Sequence, residues 1–245
     1  NIMVGNPVLS NPNDIDNALS SDNLESLSPK NGGNRLIWDM RYPGFKSFEG
    51  MVLYSSPNVG PKATPGKYNI KMTYNDMVFQ EEFEIVKDPR VKISQADYQD
   101  QLEFLIDVRD EVSKANQQII DIRRIKNNMS FILDKTKDNN ELQEMINKYL
   151  DDISVVENNI HMTKNQSRQD PLNFGIRINN RIAFLLADSQ RGDYPPTDQS
   201  KEFFSQVKEE LDIEVTNLKA LIEKHSQKIE EYLKKNKIEV ISLKD

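Results

Sequence analysis

The hydrophobic period of this chain changes at Asp88-Pro89-Arg90. Before that point, short apolar runs alternate at period two and are broken by Gly and Pro; after it, apolar residues recur every three to four positions almost to the end. The period of an apolar pattern is the main sequence signal separating strand from helix. It limits the chain to a β-rich start joined to long amphipathic helices.

In the first part, residues 34–42, 51–54, 67–74 and 78–86 read as strands. Leu36, Trp38 and Met40 share one face of the first, and Tyr68, Ile70, Met72 and Tyr74 one face of the third. Asn75-Asp76 reads as a hairpin turn, and Phe79, Phe83 and Ile85 of the returning strand as core. Short strands with turn signals between them point to an immunoglobulin-like sandwich. Residues 1–33 are polar and rich in Asn-Pro, Ser-Pro and Gly-Gly. They read as an irregular arm or as divergent first strands, with Ile2-Met3-Val4 and Pro7-Val8-Leu9 suited to an edge strand.

In the second part, Ser94 suits an N-cap and Asp97 the first turn of a helix about 40 residues long. Its stripe runs from Leu102 through Val112 and Ile122 to Ile132. Lys135 to Asn140 breaks it, and a second helix follows with Leu142, Ile146, Tyr149, Ile153, Val156 and Ile160 inward. Asp170-Pro171 starts a third helix carrying Leu172, Ile176, Ile182, Leu185 and Leu186. Arg191 to Pro196 is a loop, and Thr197-Asp198-Gln199 opens the last helix. Glu239 to Ser242 reads as a short closing strand or docked tail. The expected fold is α+β in two domains. An N-terminal immunoglobulin-like β-sandwich (34–90, preceded by the 1–33 arm) is followed by an antiparallel long-helix, four-helix bundle (91–245).

Charge and composition narrow the function. The net charge of −7 is spread over interspersed acids and bases, which argues against a nucleic-acid partner. There is no cysteine, hence no disulfide, thiolate ligand or Cys nucleophile. No apolar run reaches the length of a membrane span. The chain begins at Asn1 rather than Met, which reads as a processed or partial polypeptide.

No catalytic, cofactor or metal constellation emerges. His161 and His225 are the only histidines and lie on different helices, too few for a zinc set. Asp134 to Asp138 lacks the Gly and the closing Glu of a calcium loop, with Asn139 and Met145 in those places. The paired carboxylates Asp151-Asp152, Glu209-Glu210 and Glu230-Glu231 are adjacent on helices and do not face one another.

Two groups are candidate interfaces. Arg41 and Tyr42 follow Trp38, itself a natural sandwich core residue, and are placed to face a neighbouring domain. In the Asn-, Gln- and Arg-rich segment 163–181, Asn173, Arg177, Asn180 and Arg181 fall at helical spacing. They read either as a surface for a partner domain or a glycan, or as a polar network fixing the turn between helices.

A series of motifs carries a resemblance. In order they are NRLIWDMRYP (34–43), GPKATPGKY (60–68), FEIVKDPR (83–90), NQS (165–167) with DPLNF (170–174), and PTDQ (196–199). The series resembles the C-terminal region of bacterial, Bacteroidota-type, sortilin-like β-propeller proteins with BNR repeats, often labelled glycosyl hydrolases. The resemblance covers residues 30–240 and implies export to the periplasm or cell surface. It implies a non-catalytic accessory module that contacts a β-propeller domain or another cell-envelope protein. The alternative it leaves open is the C-terminal part of an active glycoside hydrolase, supporting substrate presentation. It brings no catalytic residues onto this chain.

Overall fold

The structure is a computed structural model that describes residues 2–3, 26–27, 32–35, 37–74 and 76–238. Most of the 1–33 arm, Leu36, Asn75 of the hairpin turn and the expected tail at 239–242 lie outside the described residues. The elements are β1 (Ile2–Met3), β2 (Ser26–Leu27), β3 (Gly66–Tyr74), β4 (Met77–Ile85), α1 (Gln95–Lys135), α2 (Asn140–Ile160), α3 (Pro171–Phe174), α4 (Ile178–Ser189) and α5 (Asp198–Lys235).

Among the described residues there is no immunoglobulin-like sandwich. The described strands form two separate two-stranded antiparallel sheets, β1 with β2 and β3 with β4. Among the described residues, 34–42 contribute one isolated bridge, Arg41 to Lys62, and residues 51–54 no strand. Side-chain hydrogen bonds to the backbone explain both corrections. Asp39 Oδ1 accepts from Arg41 N at 3.1 Å, closing a turn around Met40, whose φ is 58°. Asp side chains compete for the backbone in this way and interrupt a ladder. In segment 46–55, helix side chains meet backbone groups that a neighbouring strand would have met. Asn180 Oδ1 accepts from Tyr54 N at 2.7 Å, while Asn180 Nδ2 donates to Tyr54 O at 3.0 Å. Ser113 Oγ accepts from Lys46 N at 3.0 Å, and Arg123 Nη1 donates to Glu49 O at 2.7 Å. Backbone groups have to be satisfied, but not necessarily by backbone.

The described chain falls into two compact units, each discontinuous in sequence. The first holds residues up to Phe45, Ser56–Asp110 and Leu185–Lys201; the second holds Lys46–Ser55, Glu111–Phe184 and Glu202 onward.

The first unit contains the β3–β4 hairpin and the start of α1. Ser94 Oγ accepts from Asp97 N at 3.1 Å, and Asp97 Oδ2 accepts from Ser94 N at 2.8 Å, a reciprocal cap that begins α1. Gly60 permits the close approach that sets residues 60–63 beside residues 40–42. A Cβ there would lie 1.8 Å from Tyr42 O. Phe45, Leu102, Leu105 and Val108 are buried in this unit.

In the second unit α1 and α2 run antiparallel. Gln143 Nε2 donates to Leu133 O at 2.9 Å, and further along Glu157 pairs with Lys126 and Arg123. The helix α5 runs antiparallel to α2, since Tyr232 meets Asn139, His225 meets Asp152 and Glu214 meets Asn159. The α2 stripe buries Leu142, Ile146, Tyr149, Ile153, Val156 and Ile160, as the 3.6-residue period predicts. The expected third helix is broken. Gly175, at φ 87°, ends α3 after four residues, and α4 begins only at Ile178. Asp170 does not cap α3; its carboxylate accepts from the amides of Gln166 and Ser167 at 2.7 and 2.8 Å.

Candidate docking surface

Each hairpin strand has nine residues, about 30 Å at 3.3–3.4 Å per residue. Residues directly opposite each other share a face. The register therefore puts Tyr68/Phe83, Ile70/Glu81, Met72/Phe79 and Tyr74/Met77 on one side. On the other side are Lys67/Glu84, Asn69/Glu82, Lys71/Gln80 and Thr73/Val78. One face is thus almost wholly apolar.

That face is anchored at its root and bare toward its tip. Trp38 meets Tyr68 and Phe83 edge-on, at centroid distances of 6.2 and 6.0 Å, and Tyr68 stacks on Phe83 at 5.5 Å. The Tyr68 hydroxyl donates to Thr64 O at 2.5 Å, and burial pushes its pKa up. Beyond the root, Ile70 is 57% exposed and Phe79 47%, and Met72, Tyr74 and Met77 are exposed alongside them. The expectation that Phe79 is core is overturned, since its side chain stays exposed. A two-stranded hairpin is marginal unless something covers its face. Contiguous exposed apolar surface marks interaction sites.

The sequence-derived interface residues mostly have partners within the chain. Arg41 Nη1 donates to Gly60 O at 2.8 Å and to Gln190 Oε1 at 3.1 Å. Tyr42 is half-buried, and its hydroxyl pKa is pushed up to about 12, first by desolvation, then by Tyr68, with Arg109 opposing. Arg181 makes a two-pronged pair with Glu210, at 2.5 and 3.0 Å, and lies over the Phe203 ring. Asn180 holds Tyr54 as described above. Arg177 buries its Nε with no hydrogen-bond partner, and Asn173 is exposed on α3. Because of the Gly175 break, Asn173 does not share a helix with Asn180 and Arg181, so the four make no common helical face.

Both histidines are buried. His161 lies edge-on to Phe48 at 5.0 Å, and its Nδ1 is 3.2 Å from Asn179 Nδ2. Burial, followed by the nearby Arg123 guanidinium, pulls its pKa down to about 4. His225 stacks on Tyr149 at 4.9 Å, with Nε2 2.9 Å from Asp152 Oδ2. Among the described residues no three His, Asp or Glu side chains are grouped to hold a metal ion.

A cavity of about 170 Å³ in the first unit is lined by Thr64, Lys87, Tyr98, Gln101 and Asp193, among others. Its polar groups are engaged locally. Gln101 Nε2 donates to Ser189 O at 2.9 Å and Gly192 O at 2.7 Å, Tyr98 OH to Asp193 at 3.4 Å, and Lys87 Nζ to Ile93 O. None of these pairs a nucleophile with a base.

Among the described residues no helix is long and apolar enough to cross a membrane. The sequence signal for the docking face was the period-two alternation itself. What concealed its exposure was the assumption of a second sheet. No family model, no curated protein and no solved structure matches this chain.

Proposed function

We propose that this chain is a non-catalytic interaction module that makes interdomain or protein–protein contacts through the apolar face of the β3–β4 hairpin. The observation that carries the reading is the row Ile70, Met72, Tyr74, Met77 and Phe79, exposed on one face of a sheet that has two strands among the described residues. Leaving such a face in water forgoes about 25 cal/mol for each Å² that a partner would cover. The parent in this reading is an exported bacterial propeller protein of the periplasm or cell surface. That part rests on the motif series from Asn34 to Gln199.

A photo-crosslinking side chain at position 79, in the native host, tests the reading. A control at Ile213, an exposed apolar residue of α5, reports adventitious contact. Position 79 is expected to give one discrete adduct, mapped by mass spectrometry to a propeller domain or another envelope protein. Cross-linking at 79 no stronger than at 213 refutes it.

A further inference from the structure

The outer edge of β4 has a chemistry of its own. Only β3 pairs with β4, and among the described residues no other backbone group bonds to it. An unpaired edge is a template for a further strand. Every charge on β4 is acidic: Glu81, Glu82 and Glu84. All three are exposed, and none is held in an ion pair among the described residues. Glu82 and Glu84 lie on the face opposite the apolar row, while Glu81 interrupts that row across from Ile70.

We infer that β4 accepts an added antiparallel strand from a different polypeptide, one that alternates apolar with basic residues. This rests on the docking reading above and names the occupant. The apolar residues of the incoming strand extend the row of Met77, Phe79 and Phe83. Its Lys or Arg side chains, on the other face, lie opposite Glu82 and Glu84. Opposite charges across neighbouring strands stabilise the pairing, and like charges oppose it.

The same rule disfavours a second copy of this chain. Pairing β4 with β4 about its middle residue sets Glu81 against Glu81 and crowds the flanking glutamates. Pairing the β3 of one copy with the β4 of another in the hairpin's own register matches Lys67 to Glu84 but sets Lys71 against Gln80. It also brings successive hairpins within two strand spacings, about 10 Å. That is about the width of one helix, whereas each hairpin root carries a packed unit.

The test uses the whole chain and two synthetic peptides of about eleven residues. One alternates Ile, Val and Phe with Lys, and the other replaces each Lys by Glu. Binding is followed by fluorescence anisotropy, and the site by amide hydrogen exchange. The Lys peptide is expected to bind and to protect outward-facing amides of β4, with an affinity that falls as salt rises. Glu82→Lys combined with Glu84→Lys is expected to weaken it about tenfold and to reverse the preference toward the Glu peptide. Equal binding of both peptides, protection outside β4, or no protection overturns the inference. So does a sedimenting mass that rises with concentration together with β4 protection in the absence of peptide. If position 79 cross-links to a partner while no peptide protects β4, the added strand is overturned and the docking reading stands. If neither occurs, both fall.

Discussion

Acid should weaken this fold through one side chain, His161. Its imidazole is 2% exposed, packed edge-on against Phe48 and beside the Arg123 guanidinium, which itself pairs with Glu157. Burial and then Arg123 lower its pKa from 6.5 to about 4, with Asn179 and the Glu157 carboxylate opposing only in part. The folded pKa is therefore below the unfolded one. Above pH 6.5 both states hold a neutral ring, and this group contributes no pH dependence. As pH falls from 6.5 toward 4, the unfolded chain takes up a proton that the folded chain refuses, so stability drops. Below about 4 both states are protonated and the loss levels off. At about 1.4 kcal/mol per unit, the shift amounts to about 3 kcal/mol across that window. The assay is urea unfolding at pH 7, 6, 5 and 4, on the native chain and on His161→Gln. The variant is expected to be less stable at pH 7, because it loses the Phe48 contact, and to close that gap by about 3 kcal/mol at pH 4. The depressed carboxylates Asp97, Asp134 and Asp170 titrate lower and are common to both proteins, so they cancel in the difference. Two curves that stay parallel from pH 7 to 4 would refute the reasoning.

Two further outcomes follow from packing and from exposure. Gly60→Ala places a methyl 1.8 Å from Tyr42 O and 2.5 Å from Pro43 O, so the backbone has to shift. It is expected to cost about 1–3 kcal/mol in urea unfolding, and an unchanged midpoint would mean that the approach is not needed. Arg181→Ala removes the Glu210 pair, whose side chains are 31% and 46% exposed. It is expected to cost at most about 1 kcal/mol by thermal unfolding, and a loss several times larger would show that the pair anchors the second unit.

The helices were legible in the sequence because each carries its own evidence. The 3.6-residue stripe of α2, the Ser94–Asp97 cap and the Thr197 start are local, and the helices follow them. What failed had two kinds of cause, a distant partner in one case and a local turn in the others. The run at 51–54 has strand composition, yet its backbone is met by Asn180, 126 residues away from Tyr54. Residues 34–42 alternate like a strand, yet the Asp39 side chain turns the chain at Met40. The third helix reads as continuous until Gly175 takes a positive φ.

The docking face divides the same way. Sequence alone determined which residues share it, since a strand's period of two puts Tyr68, Ile70, Met72 and Tyr74 on one side whatever lies above them. Whether that side is core or surface depends on what stacks against it, and alternation is identical in the two cases. Only the tertiary structure decided this: Trp38 packs on the root, while Met72 and Phe79 stay exposed. Periodicity is a property of neighbours along the chain, whereas burial depends on long-range partners that no local pattern names.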